Sequence, residues 1–304
     1  MARDSKKSLT AGFKRAIGEI LNLHIPDQPG WARLTKLVAP PPAGSLIVST
    51  NRIYMTAIAL EASNHSLCRS LNKISWRDAD TGCEIVLAHP AGEPELWEEF
   101  VKGAQRSYRK HGVECALSLD TMRDGEDTAL FYVALDHSGQ VVGGLRAKGP
   151  YRDADESHAV LEWAGHPGED AVRKMITDRL PFGVVEMKSA WVSDAPDRSQ
   201  MLTRTLARTA FPTMAVLGAQ FILATAAAHV LDRWRSSGGV VATKVPAAPY
   251  PNRHYHTRIM WWDRSTFANH AEPMQLSKIL REMRNLAALS DDFSDFGIQY
   301  GGGV

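Results

Sequence analysis

Apolar residues along the chain change their spacing several times, and each change predicts an element. Between residues 94 and 111, Leu96, Trp97, Phe100, Val101, Ala104 and Tyr108 recur at helical intervals with charged residues between them. That spacing predicts a helix with one buried side. "ALFYVALD" (129–136) and "QVVGGLRA" (140–147) read as strands, and "HSG" (137–139) between them is turn chemistry, so the three predict a hairpin. Further on, the pattern predicts a helix over 168–180, a strand over 184–193 and a helix over 199–217. A strand at 219–225, a helix at 226–237 and strands at 238–245 and 255–263 follow. In that stretch His229 reads as a core residue and Gly238 and Gly239 as a helix stop. Leu276, Ile279, Leu280, Met283 and Leu286 predict a last helix over 273–289. Helices alternating with strands around a hairpin predict an α/β chain with one mixed central sheet.

Upstream of Pro94 the pattern is less regular. Leu9, Phe13, Ile17, Ile20 and Leu21 form a helical stripe within residues 8–23. "PPPAG" (40–44) is stiff and donor-poor, and predicts a linker. "SLIVST" (45–50) and "CEIVLAHP" (83–90) predict short strands, and 52–74 a mostly helical segment. The expected organisation is a mostly helical N-terminal extension over 1–90, a main domain over 91–270, and a C-terminal helix with a flexible tail over 271–304.

Composition removes several function classes. Lys and Arg number 35 against 34 Asp and Glu, so no global field draws the chain to nucleic acid. Cys68, Cys83 and Cys115 are widely spaced, which argues against a disulfide framework and fits a reducing cytoplasm. His254 and His256 would share a strand face but lack a third ligand, so no metal is expected. The most apolar window, 210–231, is interrupted by Pro212, Gln220 and His229, so no membrane span is expected.

Candidate chemistry gathers in "VVEMKSAWVSDAPDRS" (184–199). Glu186 and Lys188 occupy alternate positions and so share one face of an otherwise apolar strand. A carboxylate flanked by Val184, Val185, Met187 and Trp191 would be partly desolvated, as a general base requires. Asp124 and Asp127 stand three apart in "RDGED" just before the hairpin, and Arg146 ends it beside Lys148. Arg204 and Arg208 are four apart and share a helix face, which reads as solvated.

Three of these stretches resemble one family. "RDGEDTALFYVALDHSGQVVGGLRA", "VVEMKSAWVS" and "AQFILATAAAHVLDRWRSSGGVVA" are similar to segments of the GCN5-related N-acetyltransferase superfamily, and within it of the acyl-homoserine-lactone and N-acyl-amino-acid synthases. The resemblance covers about residues 94–265. It implies an acyltransferase fold with an N-terminal helical extension. It also implies transfer of an acyl group from an acyl-CoA or acyl-carrier-protein thioester to a small primary amine. That transfer is by direct attack, in a notch between strands 184–193 and 219–225. By the same resemblance Glu186, Asp127 and Arg146 are catalytic. Asp124, Arg106, Trp191 and Lys188 contact the acceptor. Arg198, Ser199 and Arg204 hold the donor's phosphates. Phe182, Met187, Trp191, Phe221 and Leu223 would line a pocket for a chain longer than acetyl. A homodimer is compatible with this reading.

The chain also departs from the family. Ser189 stands where the family's motif has arginine, and "DAPDRSQMLTRT" lacks the paired glycines of the usual phosphate loop. The alternative is therefore a binding or scaffold module of the same fold without turnover. If "PPPAG" is a linker, deleting residues 1–40 is expected to leave a soluble protein with unchanged circular dichroism per residue beyond the cut. Insoluble protein would place the first helix in the core instead.

Overall fold

The computed structural model describes residues 73–194 and 196–295, without the side chains of 196–198 and 287–295. The expected helix at 8–23, the "PPPAG" linker, the "SLIVST" strand and the "GGGV" tail lie outside the described residues. In chain order the elements are β1 (Ile74–Arg77), β2 (Glu84–Ala88), α1 (Pro94–Lys110), α2 (Leu119–Met122), β3 (Leu130–Leu135) and β4 (Val141–Lys148). Then come α3 (His158–Glu162), α4 (Glu169–Thr177), β5 (Val184–Val192), α5 (Pro196–Arg208) and α6 (Ala210–Leu217). β6 (Phe221–Ala227), α7 (Leu231–Arg235), β7 (Val240–Val241), β8 (Thr257–Asp263) and α8 (Pro273–Asp295) complete the set.

All eight strands form one sheet in the order β1-β2-β3-β4-β5-β6-β8-β7. Neighbours run antiparallel except β5 and β6, which are parallel. The mixed sheet is the one the pattern predicts. β1 and β2 also belong to it, since Glu84–Ala88 pairs with Phe131–Leu135. The boundary expected near residue 90 therefore does not separate sheet from extension, and Ile74 opens a strand where a helix was expected. The predicted helix at 199–217 is two helices meeting at Thr209, and 226–237 holds the end of β6, a short 3-10 turn and the five-residue α7.

Strict alternation sends successive side chains to opposite faces. Ile85, Leu87, Tyr132, Leu145 and Met187 meet α5, α6 and α8 through Leu202, Leu206, Phe211, Met214, Ile279 and Met283. Val86, Ala88, Phe131 and Val133 face the other way and meet Trp97, Phe100 and Ala104 of α1. On that second face, further along the sheet, Val184, Leu223, Ile259 and Trp261 meet Val160, Val172 and Ile176 of α3 and α4. The result is a helix–sheet–helix sandwich. α1 lies very close to the sheet because two glycines stand at the crossing. A Cβ on Gly103 would come within 2.0 Å of the Trp191 ring, and one on Gly144 within 2.9 Å of Phe100.

Arg208 ties three elements together from inside. Its side chain is 1% exposed and pairs with Asp78 at 2.5 Å and Glu282 at 2.8 Å. It also donates to Gln275 Oε1 at 2.9 Å. Asp78 lies in the β1–β2 turn, and Gln275 and Glu282 on α8, so the guanidinium fastens the sheet edge to α5 and α8. This corrects the solvated face expected of Arg208, whereas Arg204 stays 37% exposed. Burial tends to push the Arg208 guanidinium down, but Glu282 and Asp78 more than offset it and hold it above its ordinary range. Removing one partner of such a group leaves buried charge uncompensated. Arg208→Ala is expected to cost about 3–5 kcal/mol of unfolding free energy in urea titrations.

Candidate active site

β5 and β6 pair over only four positions, Val184↔Phe221 through Met187↔Ala224. Beyond them β6 continues to Ala227 and β5 to Val192, so the two strands part at their C-terminal ends. A crevice at the carboxyl end of parallel strands is where open α/β sheets place their ligands.

The parting begins at a bulge. Ser189 has φ +54°, in the left-handed region, although it carries a side chain. The β4–β5 register shifts at the same place, passing from Arg146↔Lys188 to Gly144↔Trp191. Two residues of β5 thus stand opposite one of β4, which bends the strand and resets its alternation. Lys188 lies on the α1 and α3 face with Glu186, and the extra residue brings Trp191 to that face as well. Without the bulge Trp191 would point at α5.

Arg146 secures the bulge. It is 2% exposed, donates Nε–H to Ser189 Oγ at 3.2 Å and Nη1–H to Thr128 Oγ1 at 3.0 Å, and pairs with Asp127. Lys148 lies 3.1 Å from the other Asp127 oxygen. Serine at 189 therefore meets an arginine that comes from β4 rather than from its own strand.

Glu186 is fully buried. Its Oε2 accepts from Tyr151 Oη at 2.7 Å, Ser157 Oγ at 3.0 Å and the His158 amide at 2.8 Å. Its Oε1 accepts from the Ala159 amide at 3.1 Å. Burial first, and then the Glu186 charge, push the Tyr151 phenol well above its ordinary value, so Tyr151 remains a donor. Full burial and these four donors, three of them on Oε2, tie Glu186 to the start of α3.

That anchoring sets out a second group of side chains beside the crevice. Glu162, on α3, accepts from Lys188 Nζ at 2.5 Å, Thr225 Oγ1 at 3.0 Å and His158 Nδ1 at 2.9 Å, all at Oε1. Its Oε2 is buried without a hydrogen-bond partner. Burial pushes the Glu162 carboxyl up, but Lys188 and His158 outweigh it and bring the group down to about 2. Burial likewise lowers the Lys188 ammonium, and Glu162 and Glu186 reverse this and hold it above its usual range. Lys188 and Thr225 are the first residues past the last paired positions, so the Lys188–Glu162 ion pair sits where the two strands part. Tyr108 reaches the same place from α1 and donates to the Ala190 carbonyl at 3.3 Å. Tyr250 packs edge-on against His158, with ring centres 5.7 Å apart.

The remaining expected residues lie elsewhere. Asp124 is exposed and accepts the Glu126 amide in a turn. Arg106 is exposed on α1. Trp191 packs beneath α1 with Trp97 and Phe100. Arg204 pairs with Glu272, and the Ser199 carbonyl accepts from Thr203. The side chain of Arg198 lies outside the described residues. The expected apolar pocket is not assembled: Phe182 is 62% exposed, Met187 faces α5 and α6, and Leu223 faces α4. His229 is exposed rather than in the core. His158, Glu162, Tyr108, Tyr250 and Thr225 were missed by the sequence reading. The only local signal was the i, i+4 spacing of His158 and Glu162.

A three-layer α/β/α sandwich with one parting parallel pair is the class of architecture present. No protein-family model matches the chain. It is 54% identical over 235 residues to the uncharacterized protein Rv1356c of Mycobacterium tuberculosis, covering 77% of this chain and 89% of that one. The uncharacterized protein Mb1391c of Mycobacterium bovis matches to the same extent. The chain belongs to the family of these mycobacterial proteins. Among solved structures, FeeM, an N-acyl amino acid synthase from uncultured soil microbes, overlays 67% of this chain and 96% of its own at 10% identity and TM-score 0.42. A CoA-dependent acyl-homoserine lactone synthase, BjaI, overlays 63% of this chain and 83% of its own at 16% identity and TM-score 0.39. YhbS, an N-acetyltransferase of Escherichia coli in complex with CoA, overlays 64% of this chain and 89% of its own at 16% identity and TM-score 0.40. Overlap of that extent carries no weight for activity.

The Glu162 shift has a measurable sign. Its carboxyl lies below its ordinary value of 4.5, so its contribution to stability is full above that value and is lost as pH falls towards about 2. Glu162→Gln is expected to lower the melting temperature at pH 7 and to flatten the fall in stability between pH 5 and 2.5, followed by calorimetry.

Proposed function

We propose that the chain is an N-acyltransferase, moving an acyl group from a coenzyme A or carrier-protein thioester to a small primary amine. The observation that supports this most is the parting of β5 and β6 past Met187 and Ala224, with the buried Lys188–Glu162 ion pair just beyond it. Past Met187 the β6-facing edge of β5 has no partner strand, and its amides can hold a thioester carbonyl as negative charge builds on the oxygen. Lys188 adds a fixed positive charge beside that carbonyl.

The proton of the attacking amine needs an acceptor. Glu186 is occupied, and Asp127 is committed to Arg146 and Lys148. His158 fits better. With its Nδ1–H given to the Glu162 carboxylate, Nε2 keeps its lone pair. Tyr108 stays protonated because burial raises its phenol, so it can return a proton to the departing thiolate. Asp127, Arg146 and Glu186 then act as positioning residues, the first two for the bulge and the third for α3.

A donor that binds the folded chain alone raises its melting temperature by mass action, about 2.7 kcal/mol of stabilisation at a hundredfold excess over Kd. Acetyl-, octanoyl- or free coenzyme A at millimolar concentration is expected to give a clear upward shift. An unchanged melting temperature with all three and with an acyl-carrier protein would reject the enzyme and favour a scaffold role.

A further inference from the structure

His158 has a second neighbour, across the ring from Glu162. Ser118 Oγ lies 3.4 Å from His158 Nε2, although the two residues are 40 apart in the chain. Serine, imidazole and carboxylate thus stand in one line: Ser118 Oγ to Nε2, and Nδ1 to Glu162 Oε1 at 2.9 Å. A nucleophile, a base and a group that orients the base are the three parts of an activated hydroxyl.

Two local features separate this from chance proximity. Ser118 precedes α2, where a serine ordinarily turns its hydroxyl onto the helix's free amides. Here it makes no such cap, and the hydroxyl is directed at His158 instead. Its backbone is also left-handed, at φ 50° and ψ 53°, a conformation that costs a side-chain-bearing residue about 1–2 kcal/mol. Strain that aims a hydroxyl away from its own helix is the geometry of an exposed nucleophile on a tight turn. Ser118 is half-buried and so within reach of a ligand, whereas Glu162 is 1% exposed and held by α3. Lys188, Thr225 and Tyr250 are the other groups packed about this line, and Lys188 shares Glu162 Oε1 with His158.

We propose that Ser118 is an acyl-accepting nucleophile, activated by His158 and oriented through Glu162, so that acyl transfer proceeds in two steps through an O-acyl serine. This rests on the acyltransferase reading and replaces the direct attack that the family resemblance implies. In the first step Ser118 Oγ attacks the thioester carbonyl and His158 Nε2 takes the hydroxyl proton. The new C–O bond forms, the C–S bond breaks, and the thiolate leaves with the proton from His158. In the second step the amine attacks the ester carbon, its proton passes through His158 to Ser118 Oγ, and the C–O bond breaks as the C–N bond forms. Water in place of the amine gives the free carboxylic acid, so slow hydrolysis of activated acyl esters is a further activity of the same site.

The test uses the full-length chain with two probes, octanoyl coenzyme A and p-nitrophenyl butyrate, each quenched in acid and followed by intact mass and peptide mapping. One acyl group per chain is expected, on the peptide carrying Ser118. p-Nitrophenol should appear as a burst. Ser118→Ala should abolish the adduct, and His158→Gln should slow it about 100-fold, the scale of a lost general base. Ser118→Gly relaxes the backbone at that position; with unchanged circular dichroism and no adduct it shows that the loss is chemical. A burst and adduct that persist in Ser118→Ala, or an adduct on Cys115, overturn the proposal. No adduct in the wild-type chain overturns it too. If octanoyl coenzyme A still raises the melting temperature in that case, the acyltransferase reading survives with direct attack. If neither adduct nor shift is seen, both fail together.

Discussion

One extra residue in β5 governs the rest of the site. Until Met187 the strand alternates faithfully and pairs with β6. At Ser189 the backbone turns left-handed, and two residues of β5 share one opposite residue of β4. From there β5 is no longer paired with β6, and the bulge bends the strand where the two part. The same residue reverses the facing of everything after it, which buries Trp191 under α1, while Lys188, just before it, keeps the face of Glu186. A left-handed serine is not self-sustaining. It is held by the Arg146 hydrogen bond to its hydroxyl, and Arg146 in turn by Asp127 and Thr128.

Two of the buried ionic assemblies among the described residues have different tasks. Arg208 with Asp78, Gln275 and Glu282 fastens helices to the sheet edge. Its acceptors are matched to its donors, and no substrate chemistry is evident in it. The assembly of Glu186, Glu162, Lys188 and His158 differs in kind. Glu186 is satisfied by the backbone and hydroxyls of the α3 start, while Glu162 keeps one buried oxygen unpaired and couples to an imidazole that reaches outward.

Much of the architecture was legible as pattern. The α1 stripe, the hairpin from 129 to 147, and the strands near 184, 219 and 257 all recur where spacing predicts them. Those segments are long, and one side of each is uniformly apolar. Short elements were not legible. α3 has five residues and too little length to show a period, yet it carries His158 and Glu162. β1, at four residues, was assigned no strand for the same reason, and only Ile74 fell within the expected helical segment.

The candidate site divides along the same line. Sequence by itself determined that an α/β chain with a mixed sheet would form, and that Glu186 and Lys188 would share a face, because alternation holds over the first half of β5. It also offered Arg146 as a partner for Asp124, Asp127 or Glu186, and the structure pairs it with Asp127. Only the tertiary structure decided what those charges do. The bulge cancels alternation at the point where the chemistry begins. The N-terminal end of α3 occupies the carboxylate that looked free, and contacts spanning 26 to 82 residues bring Lys188, Glu162, Thr225 and Tyr108 to one place. Local periodicity reports which side of a strand a residue takes. It carries no information about which distant helix comes to meet it, and that meeting is what brings Glu162 to Lys188 and Ser118 to His158.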